Sequence, residues 1–242
     1  MESVRLQKYF TDCGVMSRRA AEREIESGHV QVNGSTATLG QRIDPSADTV
    51  TWNGTVIRPQ ADERTYIMLH KPRGFLTTMS DDRGRRTVAQ LTQDAGRRLY
   101  PIGRLDMDSD GLLLMTDDGA LTLRLSHPRH EIPKIYEVEV KGTVSDACLA
   151  ALNAPMTLDG YQLLPVKTER LSVHHHTTRL RMTLYEGRNR QIRRMCESQS
   201  LSVVSLSRVA IGQLTLGDLP VGRWRHLTPS EVAYLNGEQD TL

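Results

Sequence analysis

The sequence predicts an α+β protein in which a small helix-and-hairpin unit precedes a larger domain with a mostly antiparallel, mixed sheet flanked by helices. Three observations support this prediction. The first sixty residues contain two helical segments followed by two alternating segments that each lead into Asn-Gly. Further alternating segments, separated by helical ones, fill the remainder. Between the two parts, near residues 58–65, a polar stretch with a proline predicts a linker.

The elements of the small unit follow from local signals. In "VRLQKYFTDCG", Leu6 and Phe10 belong to a set of apolar residues at helical spacing. Ser17 is the predicted N-cap of a second helix, "RRAAEREIESG", which should end at Gly28. The segments "HVQV" and "TVTW" alternate, and the Asn-Gly after each of them is a strong hairpin signal. Two helices packed on a hairpin-rich sheet are expected.

The larger part mixes strands and helices. "IYEVEV" and "RLRMTL" alternate and predict half-buried strands, whereas "SDACLAALN" and "NRQIRRMCES" are typical of helices. In "TPSEVAYL", Thr228 at the N-cap, Pro229 at the first helical position and Glu231 two positions later form a predicted capping box. This pattern gives the last helix a well-defined start.

Composition excludes several classes of protein. The net charge of +2 is close to neutral, so any nucleic-acid surface must come from local clustering. The three cysteines, Cys13, Cys148 and Cys196, are widely spaced and contain no CxxC pair, which argues against a disulfide framework or a structural zinc site. The N-terminus has no apolar signal core, and we expect a cytoplasmic protein that does not enter the membrane.

The segment "DMDSDGLLLMTD", which begins at Asp106, has the carboxylate spacing of a helix–loop–helix calcium site. Its context contradicts that interpretation, because Pro101 and Gly103 forbid a continuous incoming helix and "LLLM" indicates a buried strand. Asp106 instead lies where a short strand ends, so its carboxylate can face a cleft. The other aspartates are interpreted as solvated turn formers, namely Asp108, Asp110, Asp117 and Asp118.

Two segments are rich in arginine. Between Arg64 and Arg104 there are nine Lys/Arg against three Asp/Glu, and from Arg179 to Arg194 six against one. A solvated charged face would explain such runs, but arginine rather than lysine favours bidentate contact with phosphates. In "EGRNRQIRRM" a turn at Gly187 is predicted to open a helix with several arginines in its first turns. A smaller cluster lies on the second helix, and the run His174–His176 is interpreted as an exposed loop rather than a metal site.

Four motifs, in order and spacing, resemble the RsuA/RluB/RluE/RluF family of ribosomal RNA pseudouridine synthases: "HKPRGFLTT", "YPIGRLDMDSDGLLLMTDDG", "KIYEVEV" and "EGRNRQIRRM". The first sixty residues resemble the small RNA-binding domain named after ribosomal protein S-four. The resemblance implies an RNA-binding domain at 1–60 and a pseudouridine synthase catalytic domain at 61–242. Ser109 departs from the family pattern, in which threonine is commoner, but it keeps the hydroxyl.

The resemblance implies a reaction without cofactor or metal, in which the uridine base is detached from C1′, turned and rejoined through C5. It implies that Asp106 is the essential carboxylate and that Tyr136 stacks on the target base. Arg193 is expected to pair with Asp106, and Arg104 to face RNA from which the uridine has been flipped. Leu206 is expected to form an apolar wall of the base pocket, although it could equally be a core residue.

The expected partner is ribosomal RNA or a pre-ribosomal particle, bound by a monomer. Large-subunit (23S) RNA is favoured over small-subunit RNA, and a non-catalytic RNA-binding or ribosome-assembly protein on the same scaffold is the alternative. Asp106 discriminates between an enzyme and a binder, because a carboxylate facing anionic RNA weakens phosphate binding. The predicted RNA contacts, besides Arg104, are Arg18, Arg19, Arg23, Lys71, Arg73, Arg188, Arg190 and Arg194.

Overall fold

The computed structural model describes residues 3–59, 64–126, 132–238 and 241–242, and its chain divides into two compact units. The first unit comprises Met1–Thr65 together with Ala95–Arg98 and Asp117–Gly119, and the second comprises the rest of the chain. The predicted linker near residues 58–65 includes positions 60–63, which lie outside the described residues.

The described residues of the first unit form two α-helices and six short strands. As predicted, the hydroxyl of Ser17 accepts a hydrogen bond from the backbone N–H of Ala20 (3.2 Å) and so caps the second helix. The elements in chain order are β1 (Val4–Arg5), α1 (Leu6–Asp12), α2 (Arg18–Glu26), β2 (Val30–Val32), β3 (Ser35–Thr36), β4 (Arg42–Ile43), β5 (Val50–Trp52) and β6 (Thr55–Ile57).

The small sheet of this unit has the strand order β3-β2-β5-β6, and every neighbouring pair is antiparallel. Asn33 and Asn53 adopt left-handed φ values of 52° and 49°, and each is followed by a glycine with positive φ. This is the hairpin geometry that the two Asn-Gly dipeptides predict. Leu6, Phe10 and Val30 are fully buried between the helices and the sheet.

The second unit is built on a nine-stranded sheet. Its main strand order is β13-β14-β10-β15-β9-β7-β17, with β16 beside β15 and β8 beside β9. The strands are β7 (Tyr66–Lys71), β8 (Tyr100–Pro101), β9 (Asp110–Thr116), β10 (Lys134–Lys141), β11 (Thr157–Leu158), β12 (Tyr161–Gln162), β13 (Lys167–His174), β14 (Thr177–Leu184), β15 (Val203–Ile211), β16 (Leu214–Thr215) and β17 (Trp224–His226), of which β11 and β12 form a separate hairpin.

In the part of the chain that the structure describes, four α-helices accompany this sheet: α3 (Gly119–Ser126), α4 (Asp146–Asn153), α5 (Gln191–Ser198) and α6 (Pro229–Asn236). Buried residues of α4 and α5 share one apolar cluster with β10 and β14, whereas those of α3 and α6 share another with β7 and β9. The Thr228 capping box predicted for α6 is present. Within the described ranges, no helix is long and apolar enough to span a bilayer.

The strand order brings three distant motifs together at one place in the sheet. All ladders of the large sheet are antiparallel except β9–β15, where Asp110 and Gly111 lie opposite Ser207 and Arg208. β10 runs along the other side of β15, with Tyr136 opposite Arg208. The loop before β9, the middle of β15 and the beginning of β10 are therefore neighbours.

α5 begins later than the sequence predicts. Its first helical residue is Gln191, and the N-cap Arg190 has left-handed backbone angles of φ 49° and ψ 32°. Arg188 and Arg190 consequently lie in the loop before the helix, while Arg193 and Arg194 lie in its first turn. The sequence signal at Gly187 does not reveal the left-handed residue, because arginine has no intrinsic preference for that conformation.

Gly111 cannot be replaced without moving the backbone. Its φ is +112°, and an added Cβ would lie 2.3 Å from the carbonyl oxygen of Arg208 on β15. We expect Gly111→Ala to lower the free energy of unfolding by about 2–5 kcal/mol, measured by urea denaturation. Gly119→Ala is the matched control, because Gly119 has open space around it and no positive φ, and its effect should stay within about 1 kcal/mol. Equal effects of the two substitutions would contradict this argument.

Candidate active site

A cleft of about 410 Å³ opens in the second unit, at the place where the three motifs meet. Its volume lies within the range of roughly 300–1,000 Å³ that is usual for small-molecule sites. The described residues that line it are Gly103, Arg104, Leu105, Asp106, Ser109, Tyr136, Leu184, Gly187, Arg188, Asn189, Arg190, Gln191, Ile192 and Leu206.

The cleft combines one acidic side chain with several positively charged ones and two apolar walls. Among the described residues that line it, Asp106 is the only carboxylate, and its side chain is 30% exposed. The other charged lining residues are arginines. Tyr136 on β10 and Leu206 on β15 contribute to the walls. Of the predicted site residues, the structure brings together Arg104, Asp106, Tyr136, Arg188, Arg190 and Leu206.

Lys71 holds the loop that carries Asp106. Its side chain is fully buried, and its ammonium group donates hydrogen bonds to the carbonyl oxygens of Pro72 (3.0 Å), Asp106 (3.0 Å) and Ser109 (2.7 Å). Burial lowers the pKa of Lys71 to about 8, although nearby carboxylates, first that of Asp110, oppose the shift. The prediction that Lys71 contacts RNA is therefore wrong, because a fully buried ammonium group that bonds three carbonyls cannot reach a phosphate.

The rest of the "HKPRGFLTT" segment adds bonds to the same loop. The backbone N–H of Gly74 donates to the carbonyl of Met107 (2.7 Å). The hydroxyl of Thr77 donates to the carbonyl of Leu105 (2.7 Å) and accepts from its N–H (3.2 Å). Residues 105–109 are thus fixed by a segment about thirty positions earlier in the chain. Such fixation orients the Asp106 side chain before any ligand binds.

The predicted ion pair between Arg193 and Asp106 is not formed in the structure. Among the described residues, the cation within 4 Å of the Asp106 carboxylate is Arg190, whose Nη1 lies 3.7 Å from Oδ2. Arg193 instead places Nε 3.3 Å from the Asp108 carboxylate and donates from Nη2 to the Asp108 carbonyl oxygen (2.9 Å). The left-handed backbone at Arg190 directs that side chain toward the loop, and Arg193, in the first turn of α5, meets the loop two residues further on.

Three aspartates that were interpreted as turn formers take part in ion pairs, namely Asp108, Asp110 and Asp117. Asp108 pairs with two arginines of the α5 region. Asp110 pairs with Arg73 (2.9 Å), and Asp117 pairs with Arg97 (3.2 Å). The local sequence around these aspartates predicts only turns, because their arginine partners are distant in the chain. Within the described ranges, no three His, Cys, Asp or Glu side chains converge as ligands for a metal ion.

The remaining predicted residues lie outside the cleft or at its border. Arg73 is exposed and also donates to the carbonyl of Val204 (3.3 Å), and Arg194 pairs with Asp159 (2.5 Å). Leu206 is 6% exposed and belongs to an apolar cluster as well as to the cleft wall, so both interpretations of it describe part of its environment. The three arginines of α2 in the first unit, all exposed, are Arg18, Arg19 and Arg23.

Sequence reasoning missed Gln191 and Ile192, which line the cleft although both are buried. The side-chain oxygen of Gln191 accepts a hydrogen bond from the backbone N–H of Arg188 (3.1 Å) and so shapes the loop before α5. The signal was available, because a polar residue at the start of a helix can bond the preceding loop. That segment was instead interpreted from its arginines, as a phosphate-binding helix start.

A larger cavity, of about 510 Å³, lies beside α6. Its charged lining side chains are Asp218, Arg225 and Glu231, of which Arg225 and Glu231 are paired with each other at 2.6 Å. The hydrogen bond from Arg225 lowers the pKa of the Glu231 carboxyl, despite opposing burial, so the acid stays ionised and bound to its partner. The one described cation that lines this cavity is therefore neutralised, whereas three arginines line the cleft at Asp106.

Comparison with known proteins agrees with the geometry. The family described as RNA pseudouridylate synthase matches residues 65–198, and the family described as S4 domain matches residues 4–48. The first of these matches covers more than half of the chain and contains the cleft residues from Gly103 to Ile192.

Curated relatives match almost the entire chain. It is 40% identical over 239 residues to ribosomal large subunit pseudouridine synthase B of Bacillus subtilis, which covers 98% of this chain and 97% of that protein. It is 38% identical over 232 residues to the dual-specificity RNA pseudouridine synthase RluF of Escherichia coli O157:H7, covering 95% of this chain and 77% of that protein. A solved structure titled as a pseudouridylate synthase superposes with a TM-score of 0.69 at 31% identity, over 96% of this chain and 100% of that one.

The role of Lys71 is tested by Lys71→Met, which keeps the side-chain length but removes all three donors. We expect the free energy of unfolding to fall by about 2–4 kcal/mol, because three carbonyls lose their partner, and turnover of substrate to fall with it. Arg73→Met is the matched control, because Arg73 is exposed and its loss should change stability by less than about 1 kcal/mol. Thermal melting of both variants decides the question, and an unchanged Lys71→Met protein would show that Lys71 does not hold the loop.

Proposed function

This chain belongs to the RNA pseudouridylate synthase family, and from that premise we propose that its cleft isomerises a specific uridine of large-subunit ribosomal RNA to pseudouridine. The observation that carries the proposal is the placement of Asp106. It is the single carboxylate among the described cleft residues, and it faces a site whose other charges belong to arginines. A protein that only bound RNA would gain nothing from a carboxylate there, because it repels phosphates.

The reaction needs a carboxylate at this point. The bond between C1′ and N1 of the uridine breaks, the base turns, and a bond between C1′ and C5 forms. C5 then loses its proton and N1 carries one. Breaking the glycosidic bond develops positive charge on the sugar, and the Asp106 carboxylate can stabilise or attack that centre. Arg190 places a positive charge beside this carboxylate, with its Nη1 3.7 Å from Oδ2 of Asp106.

The neighbouring side chains suit a uracil ring. Tyr136 presents an aromatic face from β10, on which we propose that the target base stacks, and Leu206 from β15 supplies an apolar surface. The uridine must leave its stack to reach a carboxylate inside a cleft, so the proposal includes base flipping. Arg104 is exposed at the cleft and is proposed to contact the RNA left behind. Arg193, which was predicted to be catalytic, is proposed to act indirectly, by holding the loop from Asp106 to Asp108.

The substrate and the division of labour along the chain are also part of the proposal. We propose that residues 1–60 form an RNA-binding domain and that residues 61–242 form the catalytic domain, a division supported by the S4 match and the pseudouridylate synthase match. The Bacillus subtilis relative is named for the large ribosomal subunit, which favours that RNA over the small-subunit RNA. The enzyme would act as a cytoplasmic monomer on ribosomal RNA or a pre-ribosomal particle, without a cofactor.

The central test is Asp106→Asn, which keeps the shape of the side chain and removes its charge. We expect turnover to fall to background, because an amide can neither attack the sugar nor strongly stabilise its positive charge. RNA affinity should hold or improve, because a repulsion with the phosphates is relieved. The measurement is carbodiimide mapping of pseudouridine in ribosomal RNA from cells that lack the gene, after treatment with each purified protein.

Asp82→Asn is the control, since Asp82 is an exposed aspartate outside the cleft lining and its loss should leave turnover unchanged. Full activity of Asp106→Asn would refute the proposed catalytic role. If the wild-type protein modified no uridine in either ribosomal RNA or in pre-ribosomal particles, the proposal of catalysis itself would fail in favour of a non-catalytic RNA-binding protein.

The arginines of α2 provide a test of the proposed RNA-binding domain. Arg18, Arg19 and Arg23 are exposed on one helix, so replacing all three by Gln should weaken RNA binding and reduce the salt dependence of the binding constant by up to about three phosphate contacts. Melting temperature should not change. The matched control replaces three basic residues of β13 and β14 by Gln: Lys167, Arg170 and Arg179. Equal losses of affinity in both triple variants would remove the special role of the first sixty residues.

A further inference from the structure

The region around the start of α5 carries four guanidinium groups between residues 188 and 194. Four described carboxylates are their partners, and one of them is Asp106, which lies 3.7 Å from Arg190. Glu186 pairs with Arg188 (3.4 Å) and Asp159 pairs with Arg194 (2.5 Å). Asp108 is the one of the four that pairs with two arginines, and it belongs to the loop that carries Asp106.

The contacts of Asp108 are specific in geometry. The two terminal nitrogens of Arg190 donate to its two carboxylate oxygens at 3.2 and 3.1 Å, the fork-to-fork arrangement of a strong ion pair. Arg193, whose side chain is 15% exposed, approaches the same carboxylate and also bonds the backbone carbonyl of Asp108. Partial burial alone would raise the pKa of Asp108, but the hydrogen bond from Arg190 and the charges of Arg193 and Arg190 hold it below its usual value. The group is therefore ionised at neutral pH.

Asp108 also compensates an unfavourable backbone at Arg190. A left-handed conformation of a non-glycine residue persists only where its surroundings fix it, and such residues cluster at functional sites. Here the fork-to-fork pair supplies a fixed partner for the side chain that leaves this residue. The same guanidinium group reaches Asp106 at 3.7 Å. Arg190 thus contacts both Asp106 and Asp108. Its closer, two-pronged contact is with Asp108, which lies outside the cleft lining.

We propose that Asp108 is a positioning residue for the uridine isomerisation proposed above. It holds Arg190 at the edge of the cleft, so that the arginine's charge is directed at Asp106. Without Asp108, the nearest strong partners for Arg190 are the Asp106 carboxylate itself and the phosphates of bound RNA. Collapse onto Asp106 would obstruct the reacting carboxylate, and capture by a phosphate would remove the guanidinium group from its place beside that carboxylate.

The proposal predicts a separation of turnover from binding in Asp108→Asn. The rate of a single turnover with saturating enzyme should fall by about ten- to a hundredfold, the scale expected for a misplaced catalytic group. The dissociation constant for the same RNA should stay the same or decrease, because one negative charge near the phosphates has been removed. Asp108→Glu keeps the charge on a longer side chain and should recover part of the rate.

Asp159→Asn is the matched control. It removes the carboxylate partner of another arginine of the same helix, and Asn tolerates the left-handed conformation that Asp159 adopts (φ 50°). Turnover of this variant should remain within about twofold of wild type, as expected for an exposed ion pair outside the cleft. Melting temperatures of both variants, compared with wild type, separate an effect on the site from an effect on folding.

A double-mutant cycle with Arg190→Ala identifies the route of the effect. If Asp108 acts through Arg190, the double variant should be no slower than Arg190→Ala alone. Multiplying losses in the double variant would overturn the proposal, and so would a wild-type rate in Asp108→Asn or a loss confined to RNA affinity. An inactive wild-type protein would instead refute the proposed function on which the inference depends, so the two failures are distinguishable.

Discussion

The candidate site depends on one buried cation. An ammonium group in an apolar strand is unfavourable unless its donors are satisfied, and Lys71 satisfies them with three backbone carbonyls that belong to two different segments. Since carbonyls have fixed directions, bonding those of Asp106 and Ser109 at the same time determines the shape of the turn between them. The Asp106 side chain is then oriented by the interior of the protein, without relying on the solvent-facing parts of the loop.

The second requirement is the parallel pairing of β9 with β15, the only parallel ladder among the described strands of the large sheet. It sets the turn of Asp106 beside Leu206 and, one strand further, beside Tyr136. Gly111 permits it, since any side chain there would meet the backbone of Arg208. Three segments separated by up to a hundred residues therefore form one cleft as a consequence of sheet register. A rigid sheet holds catalytic groups more accurately than loops alone can.

The sequence predicted those features that depend on neighbours within a few residues. The Ser17 cap, the Asn-Gly hairpins and the Thr228 capping box are of this kind, and all are present. Asp106 was distinguished from the nearby aspartates by a predicted strand end, whereas in the structure β8 ends at Pro101 and Asp106 lies in the loop before β9. The burial of Lys71 and the pairing of Asp108 could not be predicted, because their partners lie up to 85 positions away and depend on the folded sheet. In a polar segment, the local sequence around a buried lysine or a paired aspartate does not differ from the sequence around an exposed one.

The arrangement of charged side chains in and around the cleft satisfies two opposite requirements of the proposed reaction. RNA binding requires cations, whereas cleavage of the glycosidic bond requires an anion that those cations must not cover. Two acids outside the cleft lining pair with these arginines. Asp108 pairs with Arg190 and Arg193, and Asp159 pairs with Arg194. Arginines ordered in this way lose less conformational entropy when RNA binds. Because these partners lie outside the cleft lining, the carboxylate of Asp106 remains the anion available to a flipped uridine.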